Sequence, residues 1–198
     1  MIDKSVEFYP LTLIKTNTKD YPSCRLPEGY SFVGYSEGDE VRWAEIECSL
    51  GQFADVEAGV RCFKREFVDG HNLRAEDRMF FVKDDATGEY VATATLWNGE
   101  LLGEERQRLH WLAVKDSCAG KGIAKALVCH ALDMYNELGY EGFIYLLTAT
   151  WYYPAVRIYH KFGFEEYKGN KSPSSAVSDE EFKEKNEKAL KLISELLS

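Results

Sequence analysis

The stretch His110-Trp-Leu-Ala-Val-Lys-Asp-Ser-Cys-Ala-Gly-Lys-Gly-Ile-Ala-Lys-Ala-Leu127 holds the residues best placed to do chemistry. It reads as a strand, a turn containing Gly120 and Gly122, and an amphipathic helix. A helix N-terminus offers N–H groups without intrahelical acceptors and the positive end of the helix dipole. Glycines there let an anion approach the backbone. The pattern predicts a phosphate-binding turn. Lys115, Lys121 and Lys125 surround it with positive charge in a chain whose formal net charge is -9.

Two familiar phosphate binders do not fit. A P-loop needs GxxxxGK and then Ser or Thr. Here the residue five before Gly120 is Lys115, and Gly122 is followed by Ile123. A dinucleotide fingerprint needs Gly or Ala at Lys125, and its ribose-binding acid should end the next strand. Glu141 precedes that strand instead.

The elements that position this turn follow from periodicity. Segment 6–14 is rich in β-formers but contains Pro10, which predicts an edge strand or extended arm. A short strand over 30–35 follows. Asp39 and Asp55 are placed to cap two helices, one carrying Trp43 and Ile46, the other Val56, Phe63 and Phe67. Strands over 79–83 and 90–97 flank the turn cluster 84–88, a hairpin. A loop over 98–106 leads to a strand over 106–114. The helix after the glycines runs to about Leu138, with Gly139 at its C-terminal cap. The apolar run 143–147 predicts a strand buried on both faces, parallel to the strand before the helix. A short helix over 154–162, a strand over 164–168 and a linker over 169–177 come next. Ser178 and Glu181 form a capping box for a terminal helix bearing Phe182, Ala189, Ile193 and Leu196. The expected division is an arm over 1–29, a domain over 30–170 and an amphipathic helix over 178–198.

Against this order of elements, Gly120-x-Gly122, preceded by Leu112-Ala113-Val114, resembles the acetyl-coenzyme A motif Q/R-x-x-G-x-G/A of the GCN5-related N-acetyltransferase (GNAT) family. Downstream, Ala155-Val-Arg-Ile-Tyr159-His-Lys-Phe-Gly163-Phe164 resembles the family's A-x-x-x-Y-x-x-x-G-F helix and turn. The resemblance spans 30–168. It implies an α/β GNAT-type fold: a central, mixed, mostly antiparallel twisted sheet flanked by helices, here with an appended C-terminal helix. The family's leading Gln or Arg is Ser117 here, and its frequent basic residue before the first glycine is Ala119. Ala124 stands where Gly often continues. These departures remove side-chain phosphate donors.

The resemblance implies transfer of an acetyl group from acetyl-coenzyme A, as cosubstrate, to a primary amine by direct attack through a tetrahedral intermediate. The cofactor-binding segment would comprise Leu112, Ala113, Val114, Ser117, Cys118, Ala119, Gly120, Lys121, Gly122, Ile123, Ala124 and Lys125. A family bulge in the strand would free backbone N–H groups near Leu112 and Val114. Tyr159 matches the family's general acid; its alternative is a packed core aromatic. His110 stands where many relatives carry Glu, and an imidazole suits a base at neutral pH; its alternative is structural. Trp97, Trp111, Trp151, Tyr152 and Tyr153 are either an aromatic acceptor pocket or core.

Composition narrows the rest. An acidic chain argues against nucleic-acid binding. Five cysteines without CxxC, and four scattered histidines without HExxH, give neither a disulfide framework nor a metal site. The first residues lack a signal-peptide core, and no apolar run approaches the roughly 20 residues of a membrane helix. The expectation is a cytoplasmic enzyme, monomeric or homodimeric, acting on a small-molecule amine and not on a membrane. A non-catalytic coenzyme A sensor and a protein lysine or N-terminal acetyltransferase are the alternatives.

Overall fold

A computed structural model describes residues 2–69, 73–171 and 176–198. In chain order the elements are β1 (Pro10–Lys15), β2 (Tyr30–Gly34), α1 (Glu40–Ser49), α2 (Val56–Phe67), β3 (Met79–Asp84), β4 (Tyr90–Leu101), β5 (Glu104–Val114), α3 (Ile123–Glu137), β6 (Ile144–Ala149), α4 (Tyr153–Lys161), β7 (Glu165–Glu166) and α5 (Asp179–Leu197). The strands hydrogen-bond in the order β2-β3-β4-β5-β6-β1-β7, a mixed, mostly antiparallel sheet. The chain forms two compact units. A terminal unit comprises Met1–Pro22, Asn98–Arg108 and Leu132–Ser198; an inner unit comprises Ser23–Trp97 and Leu109–Ala131.

In the inner unit β2, β3 and β4 are antiparallel, with Tyr30 opposite Asp84 and Phe80 opposite Ala94. The β3–β4 turn closes as expected: Asp84 Oδ1 accepts from the N–H groups of Ala86 and Thr87. Helices α1 and α2 bury Trp43, Ala44, Ile46, Cys62, Phe63 and Phe67 against Met79, Phe81, Trp97 and Ala113. The two helices approach closely because Gly59 has no side chain; a Cβ there would lie 2.6 Å from Cβ of Ala44. Asp55 caps α2, accepting from Ala58 N at 2.7 Å. Asp39 precedes α1 but does not cap it. Its carboxylate takes the Ser36 N–H and the Arg42 guanidinium instead.

In the terminal unit β1 pairs antiparallel with β6, Pro10 opposite Ala149 through Lys15 opposite Ile144, and with β7 at Leu13 and Ile14. It is an interior strand, not the expected edge. Pro10 is tolerated because it is the first residue of the strand, where its missing N–H costs least. Trp151 Nε1 donates to Val6 O at 2.9 Å and Tyr9 N donates to Thr150 Oγ1 at 2.9 Å, tying down the segment before β1.

The expected loop over 98–106 is instead continuous strand broken by a tight turn. Leu102 and Gly103 both take positive φ, +61° and +81°, the backbone of a two-residue hairpin. β5 and β6 run parallel at Arg108 and Tyr145. β6 is buried at Ile144, Tyr145 and Leu146, but Leu147 is 57% exposed, so the apolar run is not covered on both faces throughout. The strand expected over 164–168 shortens to two residues. Ser178 Oγ accepts from Glu181 N at 3.1 Å, and α5 buries Ala189 and Ile193 against its own unit. Of the expected linker, residues 172–175 lie outside the described residues.

Candidate active site

The glycine turn lies in the inner unit. β5 ends at Val114, a single helical turn spans Asp116–Cys118, and α3 begins at Ile123. Gly120 and Gly122 have φ of +77° and +93°, values that L side chains rarely adopt. A Cβ on either would meet nothing within 4 Å, so the backbone there faces open space. The N–H groups of Ile123 and Ala124 open the 15-residue α3 ahead of its first turn bonds, which Lys125 and Ala126 make to Gly122 O at 3.1 and 3.2 Å. Ser117 and Ala119 are exposed, Cys118 is buried, and Ile123 is buried at the start of α3. The turn suits an anion held by backbone amides.

The lysines are less available than their spacing suggests. Lys115 Nζ donates to Glu89 Oε1 at 2.7 Å, which neutralises it locally. Lys121 Nζ donates to Tyr30 Oη at 2.7 Å, and this hydrogen bond raises its pKa above the usual lysine range. Cys118 Sγ stands 3.8 Å from both Tyr30 Oη and Lys121 Nζ. Lys125 is exposed one turn into α3.

Upstream on β5, Trp111 has φ +48°, a left-handed residue within a strand. Neighbouring side chains on a regular strand point to opposite faces. Here the His110 and Trp111 rings lie 5.8 Å apart. His110 Nε2 lies 3.2 Å from Glu66 Oε2 on α2, and its ring stands 5.8 Å from that of Phe67. Trp111 packs on Trp43 at 5.0 Å and on Phe53 at 5.8 Å. Ala113 joins the same buried cluster, while Leu112 and Val114 are half-buried.

Tyr159 belongs to the terminal unit. It is buried on α4 with its ring 5.9 Å from Phe164. Burial pushes its phenol well above the usual tyrosine range. Of the five aromatics, Trp97 and Trp111 belong to the inner unit and Trp151, Tyr152 and Tyr153 to the terminal unit. Trp97 and Trp111 sit in the inner unit's core, Trp97 being 5.2 Å from Phe67. Trp151 lies against Phe8 at 4.9 Å in the terminal unit, where it anchors the N-terminal segment. Arg108, two residues before His110 on β5, packs in the terminal unit, its side chain 3.0 Å from where a Gly99 Cβ would be.

Two acidic residues went unnoticed in the sequence. Glu66 sits beside Phe67 at the end of α2 and carries no motif. Glu47 lies one helical turn after Trp43, an acid on an apolar stripe, which was a legible signal. It is 2% exposed, and burial raises its pKa to about 8. Among the described residues its Oε1 and the Nε1 atoms of Trp43 and Trp111 lack hydrogen-bond partners. No group of side chains able to hold a metal ion occurs among the described residues.

The model of the acetyltransferase (GNAT) family matches residues 39–164. A comparison with curated protein sequences returns no match. Solved structures share the fold. A GCN5-related N-acetyltransferase from Sphaerobacter thermophilus superposes with TM-score 0.61 at 20% identity, covering 81% of this chain and 49% of its own. A tandem GNAT protein from the clavulanic acid biosynthesis pathway gives 0.57 at 17%, covering 80% and 50%. Glucosamine-6-phosphate N-acetyltransferase from Arabidopsis thaliana gives 0.50 at 17%, covering 76% and 99%. The chain thus spans about half the length of the first two.

Proposed function

Because the chain belongs to the GNAT acetyltransferase family, we propose that it is an acetyl-coenzyme A-dependent N-acetyltransferase acting on a primary amine of a small molecule. The observation that carries this reading is the pair Gly120 and Gly122, left-handed and open at the head of α3. Acetyl-coenzyme A supplies an activated thioester and a pyrophosphate. The N–H groups from Gly120 to Ala124 hold the pyrophosphate, and Lys125 adds charge. Ser117, Cys118 and Ala119 shape the turn, while Leu112, Ala113 and Val114 present backbone N–H groups toward the thioester arm.

An acceptor amine with a pKa near 10 reaches the enzyme as an ammonium ion and must lose a proton before it attacks. His110 is the base. Tyr159 is the acid that protonates the departing thiolate. Its buried phenol stays protonated across the neutral range, as an acid must. The working environment is cytoplasmic, without nucleic-acid or membrane partners, in a monomer or homodimer. Among the described residues no helix is long and apolar enough to cross a membrane.

Calorimetric titration with acetyl-coenzyme A is the direct test. Saturable binding with thiol release on adding primary amines is expected; absence of binding heat at high concentration would end the proposal. A second reading, a coenzyme A sensor without turnover, draws support from the engagement of Lys115 and Lys121 by the chain's own groups. It predicts tight binding and no thiol release with any amine.

A further inference from the structure

We propose that Glu66 is the positioning residue of the base: it fixes the tautomer and orientation of His110, which the left-handed backbone at Trp111 turns toward α2. The inference rests on His110 being the base.

Nε2 of His110 stands 3.2 Å from a carboxylate oxygen of Glu66. A carboxylate only accepts, so Nε2 must carry the hydrogen and Nδ1 the lone pair. Both side chains are largely withdrawn from water, 17% and 26% exposed, which strengthens the interaction over a surface pair. Phe67 and Trp111 flank the ring and limit its rotation. The other Glu66 oxygen faces the Arg65 guanidinium at 3.6 Å. Arg65 is 70% exposed, so it screens the carboxylate without neutralising it. Among the described residues, Lys64, Asp69 and Cys62 also belong to this end of α2, and Glu47 approaches Cys62 from α1; burial raises Cys62 and Glu47. The raised Glu47 is protonated and uncharged at neutral pH, and Cys62 remains a thiol.

The step balances simply. The acceptor ammonium gives a proton to Nδ1, and the amine lone pair becomes available for attack. The resulting imidazolium is stabilised by Glu66, which keeps its own charge while Nε2–H remains shared with it. On an unbroken strand Trp111 would face away from His110. The +48° φ places both rings together, and the Trp43 and Phe53 rings hold Trp111 there.

The experiment compares wild type, His110→Ala, Glu66→Gln and Glu66→Asp by thiol release from acetyl-coenzyme A over a primary-amine panel, as kcat and KM against pH. Nitrogen-detected NMR of the imidazoles gives the tautomer independently of turnover. Glu66→Gln is expected to lower kcat about 10- to 100-fold. It should move the acidic limb about one unit lower, since a neighbouring negative charge is lost. Acetyl-coenzyme A affinity should stay unchanged. Glu66→Asp should recover part of the rate, and wild type should show an Nε2–H resonance that Glu66→Gln alters. If His110→Ala abolishes turnover while Glu66→Gln keeps the wild-type rate, limb and tautomer, the positioning role is wrong and the base stands. If His110→Ala turns over normally, the base reading itself fails and this inference with it.

Discussion

The imidazole of His110 and the indole of Trp111, consecutive along one strand, lie with ring centroids 5.8 Å apart, on one side of β5 rather than two. The cause is a single left-handed residue. For an L residue that conformation costs about 1–2 kcal/mol, and the aromatic contacts of Trp111 offset it.

Replacing Trp111 separates these terms. Trp111→Ala and Trp111→Gly both remove the indole and both destabilise. Only glycine accepts φ +48° without penalty, so the Gly variant should be the more stable by about 1 kcal/mol in urea denaturation. Ala more stable than Gly would mean that the backbone does not hold this conformation.

Gly122→Ala tests the anion turn. Its Cβ would touch no protein atom, so the stability loss is confined to backbone strain at φ +93°, about 1–2 kcal/mol. The methyl group projects where a phosphate would approach. The dissociation constant of acetyl-coenzyme A should rise at least about tenfold, more than the stability loss accounts for. An unchanged constant by calorimetry refutes the turn as the phosphate site.

The lysines should not be equivalent. Lys125→Met removes an exposed cation beside the turn. It should weaken acetyl-coenzyme A binding several-fold, about 1 kcal/mol, and flatten the salt dependence. Lys115→Met removes a cation already balanced by Glu89 and should change affinity little. Equal effects of the two would contradict this ranking.

Glu47 makes stability pH-dependent with a defined sign. Its folded pKa is about 8 against 4.5 when unfolded, so the folded state keeps a proton that the unfolded state has lost. Stability at low pH is therefore undiminished, falls as pH rises from about 4.5 to 8, and levels off beyond. Glu47→Gln should remove that slope. Denaturant midpoints measured from pH 5 to 8 check it, and a slope surviving in the Gln variant would place its origin elsewhere.

Gly59→Ala should cost about 1–3 kcal/mol by overpacking, because the added Cβ would come 2.6 Å from the Ala44 Cβ across the α1–α2 contact. A thermal melt like that of wild type would show that the helices can separate freely.

Much of this was legible because local chemistry dictates it. The Gly120 turn, the Asp55 and Ser178 caps and the β3–β4 hairpin all lie within a few residues of their cause. The interior position of β1 was not, because Pro10 reads as an edge signal until one knows that it is the strand's first residue. Glu66 was invisible for a related reason. Its partner His110 is far along the chain, and nothing near Glu66 marks it as facing a strand. Trp111 reads as an ordinary alternating strand residue, since tertiary aromatic packing, not propensity, holds it left-handed. Asp39 has the type and place of a cap, but Ser36 and Arg42 compete successfully for its oxygens.

The interior placement of β1 also sets an order of assembly during translation. Its Leu11 and Leu13, fully covered in the finished protein, emerge from the ribosome before the strands that pair with them. Their partners on β6 and β7 lie more than a hundred residues later. At typical elongation rates of about 5–20 residues per second the strand waits on the order of ten seconds, apolar and unpaired. Helices α1 and α2 and strands β2 to β4 are all synthesised within that wait. A strand made before its partners is closed only when they arrive, and for that interval its apolar side chains stay uncovered.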